Sequence, residues 1–343
     1  MSESRHRLAV TLVLLGGAAS GACRDGAARV DPADAAAAVA GITEADVLAR
    51  IGLLAADSMR GRATPSPELE QVAVWIAAEM RRFGLEPAFD TSYIQRYPLG
   101  PAGDATLPTA PNVAALLPGS DPTLRDEVVL FSAHMDHVGV GAPDASGDSI
   151  WNGADDDASG TAAVLELAEA FATLDPAPRR SLVFLLVSGE ERGLLGSAAF
   201  VADPPVPVET MVAGLNVDMV GRNWTDTIVA IGREHSDLGR TLDAVGAAHP
   251  ELGMTAIDDL WPEESFYTRS DHFNFARAGV PVLFFFNGVH EDYHRPSDEV
   301  ERIDGEKAAR ITRLLFWLGL EIADRDEAPR WNAASRARIV RPR

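Results

Sequence analysis

Short, strongly apolar segments alternate along this chain with amphipathic segments, and this alternation limits the fold more than any other feature of the sequence. The segments "EVVLFSAH", "SLVFLLVSG", "VAGLNVDMVG", "TIVAIG" and "VPVLFFF" are typical of short buried strands. Apolar residues recur at helical spacing in "ELEQVAVWIAAEMRRFG", "GTAAVLELAEAFATL" and "EKAARITRLLFWLGLEIAD". Such alternation predicts an α/β fold of three layers, α/β/α, with a central mixed, mostly parallel twisted sheet.

The N-terminal residues are predicted to lie outside this fold. A basic "RHR" precedes the apolar run "LAVTLVLLGGAASGA", which ends directly before Cys23, the single cysteine of the chain. This pattern is typical of a secretory signal peptide over residues 1–22. Small residues directly before Cys23 resemble a bacterial lipobox, where the cysteine becomes lipidated. Ser20 stands where such boxes usually carry leucine, so ordinary cleavage beside a spectator cysteine is the alternative. We therefore expect an exported protein: a cell-envelope lipoprotein, or otherwise a periplasmic or secreted one.

Composition divides the rest of the chain into three parts. Residues 23–41 are rich in Ala, Asp and Gly and are predicted to form a tether. Residues 42–328 contain the alternating strands and helices and are predicted to form one domain. The segment 329–343 carries five arginines and no acidic residue, and we expect a solvated, frayed tail.

Acidic residues outnumber basic ones by 51 to 30, which gives a net charge of −21. This balance argues against nucleic acid and anionic membranes as partners, because phosphate groups bind to cationic surfaces. The excess of acidic residues can instead serve solubility or supply oxygen ligands for metal ions. A single cysteine also excludes an internal disulfide.

Polar side chains follow four of the predicted strands at the points where the strands end. Open α/β sheets bind ligands at the carboxyl ends of their strands. Two histidines combined with carboxylates form a ligand set that suits zinc. The sequence therefore predicts a metal site at one edge of the sheet, with these candidate residues: His134, Asp136, Glu190, Glu191, Asp218 and His294.

Three adjacent carboxylates, Asp155–Asp157, lie in the segment "NGADDDASGTA". Neighbouring like charges raise one another's pKa unless a cation shares the site. The segment "DDDASGTAAVLE" also matches the spacing of a calcium-binding loop, with Glu166 at the twelfth position. That alternative is weakened because no helix is predicted before the loop. Glu166 also falls inside a predicted helix that would carry it away from Asp155.

Six motifs follow one another along the chain: "HMDHVG", "NGADDDASGTA", "SGEERGLLGS", "NVDMVGR", "RSDHFNFARAGVP" and "DYHRPSDEVERID". In order and spacing they resemble the co-catalytic di-zinc exopeptidases, metallopeptidase family twenty-eight. That family includes bacterial leucyl aminopeptidases, glutamate carboxypeptidase and glutaminyl cyclase. The resemblance covers roughly 48–323 and leaves no room for the protease-associated insert of some relatives. It implies the zinc-exopeptidase fold, as a single catalytic domain that binds two zinc ions.

The resemblance implies a role for each candidate ligand. His134 and Asp218 would bind one zinc, and Glu191 and His294 the other. Asp155 would bridge the two ions, and a cis peptide bond would join it to Asp156. Asp156 and its neighbour Asp157 would then not be ligands.

The resemblance also implies which residues act on the substrate. Glu190 would be the general base that takes a proton from the attacking water and passes it to the leaving amine. Asp136 would orient His134 through its other ring nitrogen. Tyr293 would donate a hydrogen bond to the developing oxyanion.

The expected function is that of an exported zinc aminopeptidase acting on peptides. A dipeptidase or carboxypeptidase and a glutaminyl cyclase are alternatives within the family. The cyclases use a single zinc, so the complete bridging set favours hydrolysis. A non-enzymatic, receptor-like protein is disfavoured because no ligand and no base is missing.

Overall fold

The computed structural model describes residues 28–100 and 106–341. The predicted signal peptide, residues 1–22, and the predicted lipidation site, Cys23, lie outside the described residues. Within the described residues, none of the helices combines the length and the apolar character that a membrane-crossing segment needs.

The described helices and strands alternate as the sequence predicts. The α-helices are α1 Pro32–Ala40, α2 Glu44–Leu54, α3 Pro67–Arg82, α4 Gly160–Ala172, α5 Leu195–Ala202, α6 Leu238–Ala248, α7 His272–Ala278, α8 Gly305–Asp324 and α9 Ala333–Ile339. The strands are β1 Glu86–Pro87, β2 Ile94–Pro98, β3 Thr109–Leu117, β4 Val128–His134, β5 Gly139–Val140, β6 Ile150–Trp151, β7 Ser181–Val187, β8 Met211–Val217, β9 Thr227–Ile231, β10 Thr255–Ile257 and β11 Val282–Phe285.

Nine of these strands form one mixed sheet. Its order is β1-β3-β7-β4-β8-β11-β9-β10, and β2 also pairs with β3. The four central strands β7, β4, β8 and β11 run parallel to one another. Strand β3 pairs antiparallel with β1, β2 and β7, and β9 pairs antiparallel with β11 but parallel with β10. Strands β5 and β6 form a separate antiparallel pair. The prediction of a mixed sheet with a parallel centre is confirmed.

A hydrophobic core lies on each face of the sheet. Helices α1 to α4, α6 and α8 pack against one face, and α5, α7 and α9 pack against the other. Strand β7 shows why, since alternate side chains of a strand point to opposite faces and all of its residues are apolar after the first. Its two sets are Leu182, Phe184 and Leu186 in the first core, and Val183, Leu185 and Val187 in the second.

The segment predicted to be a tether is partly folded. Helix α1 begins after Asp31, whose side chain caps it by accepting a hydrogen bond from the Ala33 N–H, and its Ala35 and Ala38 are buried. Just before it, the Val30 N–H donates to Asp324 Oδ2 at 2.9 Å. Small alanine side chains let the helix pack closely, so the folded part of the chain begins before residue 42.

The C-terminal segment is also packed, contrary to the prediction of a frayed tail. Trp331 donates from its Nε1 to the Gly279 carbonyl at 2.8 Å, and Ile339 of helix α9 is buried in the second core. These two apolar side chains fix the segment despite its arginines. The domain boundary at residue 328 is therefore corrected: described residues up to Val340 belong to the fold.

Candidate metal centre

The carboxyl ends of the parallel strands bring the predicted residues together. His134 is the last residue of β4, and Asp218 directly follows β8. Glu191 lies four residues after the end of β7, and His294 lies in the loop after β11. These strands are neighbours and parallel, so their carboxyl ends share one edge of the sheet.

One cluster of possible ligand atoms is centred on His134. Its Nε2 lies 3.3 Å from Asp156 Oδ1 and 3.7 Å from Asp218 Oδ1. The other oxygen of Asp218 accepts a hydrogen bond from the Ser270 hydroxyl at 3.0 Å, which fixes the carboxylate. All three side chains are buried.

A second cluster lies beside the first and contains His137, Asp156, Glu191 and His294. One ligand atom from each of these four residues lies within 4.8 Å of the others. His294 Nε2 lies 3.1 Å from Asp156 Oδ2 and 3.1 Å from a carboxylate oxygen of Glu191. His137 lies in the motif "HMDHVG", but the sequence does not predict that it is a ligand.

Asp156, and not Asp155, lies between the two clusters. Its Oδ1 faces His134 and its Oδ2 faces His294, which is the arrangement expected of a carboxylate that bridges two ions. Asp155 belongs to neither cluster: its Oδ1 accepts a 2.6 Å hydrogen bond from the Gly221 N–H, and its Oδ2 lies 3.2 Å from His290. The predicted bridging position is therefore corrected by one residue.

The cis peptide bond follows the same shift. It joins Asp156 to Asp157, whereas the sequence prediction placed it between Asp155 and Asp156. The carboxylate of Asp157 also lies within 4.8 Å of ligand atoms of His134 and Asp218. However, its oxygens already accept backbone hydrogen bonds from His134, Gly160 and Met219. We therefore infer that Asp157 connects the acidic loop to β4 and to the segment after β8.

The carboxylates of the two clusters require positive charge nearby. Burial by itself would lower the pKa of His294, but Asp156 and Glu191 raise this pKa to about 10. Although His294 Nε2 is 3.1 Å from Asp156 Oδ2, that oxygen has no hydrogen-bond partner among the described residues. His294 Nε2 also pairs with Glu191 Oε1 at 3.1 Å. Ring nitrogens and carboxylate oxygens that converge this closely suit a shared cation. The donor set of imidazoles and carboxylates fits zinc.

Asp136 joins His134 to the loop that carries Glu190. Its Oδ1 is 3.7 Å from His134 Nδ1, and its backbone carbonyl is 3.1 Å from the same nitrogen. Its carboxylate also accepts hydrogen bonds from the N–H groups of Gly189 and Glu190 at 2.7 and 3.3 Å. Asp136 is thus placed to orient His134 and to fix the backbone of Glu190; the orienting role remains a prediction.

Glu190 and Tyr293 line a small cavity of about 50 Å³ above the clusters. Burial raises the pKa of Glu190 well above its usual range. The Tyr293 ring stacks on His294, with 3.9 Å between the ring centroids. The polar part of the wall also includes Arg269, Ser270 and side chains of the two clusters, and the apolar part consists of Met219, Phe266, Phe284, Phe286 and Val289.

The sequence does not predict two residues that support this loop. Arg62 is fully buried, and its guanidinium donates to the carbonyls of Met135 and Asp156 at 3.0 and 3.3 Å, as well as to three other carbonyls. Asp298 accepts from the N–H groups of Asp155 and Asp156 at 3.1 Å. Burial raises the pKa of Asp298 to about 7. An arginine in "SMRGR" and an aspartate in "RPSDE" were the available signals, but both act on backbone atoms of a distant loop.

The calcium-loop alternative is not supported by the structure. Glu166, its twelfth residue, lies on α4 and pairs with Arg50 of α2, at 2.5 Å between Oε1 and Nε. Asp157, its third residue, is occupied by backbone donors as described above. The acidic loop therefore contributes to the two clusters and does not form a separate calcium-binding loop.

A sequence profile of peptidase family M28 matches residues 112–318. A probable zinc metalloprotease of Pyrenophora tritici-repentis is 30% identical over 285 aligned residues, covering 70% of this chain and 57% of that protein. A probable leucine aminopeptidase of Arthroderma otae is 27% identical, covering 62% of this chain and 58% of that protein. The chain thus spans less than two thirds of the length of either relative. The solved structure of a zinc aminopeptidase from Bacillus subtilis, 15% identical, superposes with a TM-score of 0.68 over 84% of this chain and 97% of that one.

Proposed function

This chain belongs to peptidase family M28, and from that membership we propose that it is a zinc aminopeptidase that removes N-terminal residues from peptides. The observation that carries the proposal is the position of Asp156, with one oxygen towards each ligand cluster and Glu190 lining the cavity beside it. This arrangement supports two zinc ions per chain, held by the clusters of His134 and of His294.

When bound, zinc would lower the pKa of a water molecule and polarise the substrate carbonyl. The chain's own residues would supply the proton transfer and the orientation. Glu190 takes a proton from the attacking water and delivers it to the leaving amine. Burial raises its pKa, which favours uptake of the proton from water. Tyr293, above His294, donates to the developing oxyanion.

The lining of the cavity favours a substrate with a free amino terminus over one bound by its carboxylate. Four carboxylates line it, those of Asp156, Glu190, Glu191 and Asp218; bound zinc would offset the charge of the three ligands, which leaves that of Glu190. A carboxypeptidase needs a cation to bind the terminal carboxylate of its substrate. Among the described residues, Arg269 is the one arginine that lines the cavity; its Nη1 lies 3.3 Å from Glu264, and its guanidinium stacks on Phe266. An unblocked α-amine is thus the better match.

Substrate profiling tests the proposal. The zinc-loaded protein is expected to release the first residue from a free peptide and from its C-terminal amide, but not from the N-acetylated peptide. A chelator should abolish this activity, and zinc should restore it as two ions per chain are taken up. Release from the C-terminus would indicate a carboxypeptidase. Ring closure of N-terminal glutamine with one zinc per chain would indicate a cyclase. Either result would refute the aminopeptidase proposal.

Export with lipidation of Cys23 is a separate proposal, supported by the sequence pattern before that cysteine. Expressed with its N-terminal residues in a bacterial host, the protein should fractionate with membranes and be released by detergent. Cys23→Ser should shift it to the soluble fraction, because the acylated cysteine is lost. A wild-type protein that is already soluble after export would exclude the lipid anchor while leaving export intact.

A further inference from the structure

We propose that His137 is a fourth protein ligand in the cluster of Asp156, Glu191 and His294, so that the two metal positions differ in the number of residues that hold them. This inference rests on the proposed binding of two metal ions. Neither the sequence prediction nor the proposed catalytic mechanism gives His137 a role.

The imidazole of His137 is buried without a hydrogen-bonding partner. Its residue is 1% exposed, and neither ring nitrogen forms a hydrogen bond with any described residue. Nevertheless, its Nδ1 lies 2.9 Å from Glu191 Oε1 and 3.7 Å from Asp156 Oδ2. Burying an imidazole without a hydrogen-bonding partner costs folding free energy, unless its nitrogens bind another group. A cation between the three atoms would satisfy them all.

The surroundings hold the ring of His137 in this position. Gly153 has a φ of +57°, and a Cβ at that residue would approach the Cγ and Cδ2 of His137 to 2.5 Å. The His137 N–H also donates to the Arg62 carbonyl at 3.4 Å. The loop that carries the acidic residues therefore packs directly against the imidazole.

With His137 included, the two clusters are unequal. Four residues surround the position of Glu191 and His294. Beside His134 and Asp218 the third ligand is Asp156, since the oxygens of Asp157 already accept hydrogen bonds from backbone N–H groups. Four protein ligands typically close a zinc site, while catalytic sites keep three and an open position. The cavity is lined by His134 and Asp218 and also by Glu191 of the four-residue cluster, whereas His137 and His294 do not line it. With four ligands, the position of Glu191 and His294 would be the closed one, and that of His134 and Asp218 the open one.

A positioning role for His137, in which it only hydrogen-bonds to Glu191, makes a different prediction. X-ray absorption at the zinc edge, measured on the wild-type protein with two zincs bound, counts the imidazoles that coordinate the metal. Three imidazoles per two zincs are expected if His137 is a ligand. Two imidazoles per two zincs, those of His134 and His294, would overturn the proposal. This measurement requires no variant and does not depend on how a variant folds.

Zinc titration of variants provides a second test, with circular dichroism to confirm folding. His137→Ala should weaken one of the two zinc sites by at least the 10–100-fold that losing a mere supporting residue costs, and leave the other unchanged. His137→Asp should recover much of this affinity, because its oxygen reaches as far as Nδ1. His290→Ala is the matched control, since His290 is a buried imidazole 3.2 Å from Asp155 but outside both clusters. Wild-type affinity at both sites in His137→Ala, or an equal loss in the control, would refute the role of His137.

These tests separate this inference from the proposed function. A wild-type protein that binds two zincs through three imidazoles but cleaves no peptide would refute the aminopeptidase and support the role of His137. A wild-type protein that cleaves peptides, with a His137→Ala variant that binds zinc normally, would refute only the role of His137.

Discussion

Replacing Glu190 by glutamine is expected to lower kcat by about 10²–10⁴-fold, the usual contribution of a general base, while both zinc ions stay bound. Glutamine keeps the shape of the side chain but cannot accept a proton from water. Glu190 lines the cavity and belongs to neither ligand cluster, so metal binding should not change. Steady-state kinetics combined with metal analysis of the same sample would measure both effects.

Glu191→Gln is the control for this variant, because the two glutamates are adjacent and chemically identical. Glu191 belongs to the second ligand cluster, 2.9 Å from His137 and 3.1 Å from His294. Its replacement should therefore reduce zinc content first and activity in proportion. Near-normal turnover by Glu190→Gln with full zinc would show that another group moves the proton, and the proposed mechanism would be wrong.

Asp156→Asn is expected to have the broadest effect on metal binding, since Asp156 is the residue shared by both clusters. Amide substitution removes the negative charge and leaves one good ligand oxygen in place of two. We expect both zinc affinities to fall by at least about 10–100-fold, with activity lost at zinc concentrations that saturate the wild-type protein. Calorimetric titration of the metal-free protein would resolve the two sites.

Asp155→Asn provides a matched comparison one residue away. The carboxylate of Asp155 accepts its hydrogen bond from the Gly221 N–H through one oxygen, which an asparagine carbonyl can also do. Zinc content close to that of the wild type is therefore expected. The reverse order, with Asp155→Asn losing both ions and Asp156→Asn retaining them, would restore the bridging assignment made from the sequence.

This one-residue error has a physical origin. Three identical residues in a row contain no pattern that distinguishes one from the next, and periodicity helps only where the backbone is regular. Here Asp156 and Asp157 have non-helical φ and ψ angles and are joined by a cis bond, so neither strand nor helix spacing applies. By contrast, His134 and Asp218 lie at the ends of apolar strands, whose position the sequence shows clearly.

Residues that support the loop were harder to predict for a different reason. Arg62 and Asp298 bind backbone carbonyls and N–H groups, which every residue offers, so their partners leave no trace in the sequence. The same applies to the folded ends of the chain. An alanine-rich segment resembles a linker in composition alone, and only its packing against the core shows that α1 is part of the fold.

The carboxylate of Asp324 links three distant parts of the chain. Its two oxygens accept from the N–H groups of Val30 and Arg179, at 2.9 Å each. If the N-terminal segment opened, buried Asp324 would lose the hydrogen bond from the Val30 N–H. The same carboxylate also binds the backbone of Arg179, just before β7. Slow amide exchange is thus expected to extend to Val30, at a rate set by cooperative opening with Arg179 and not by fraying of a chain end.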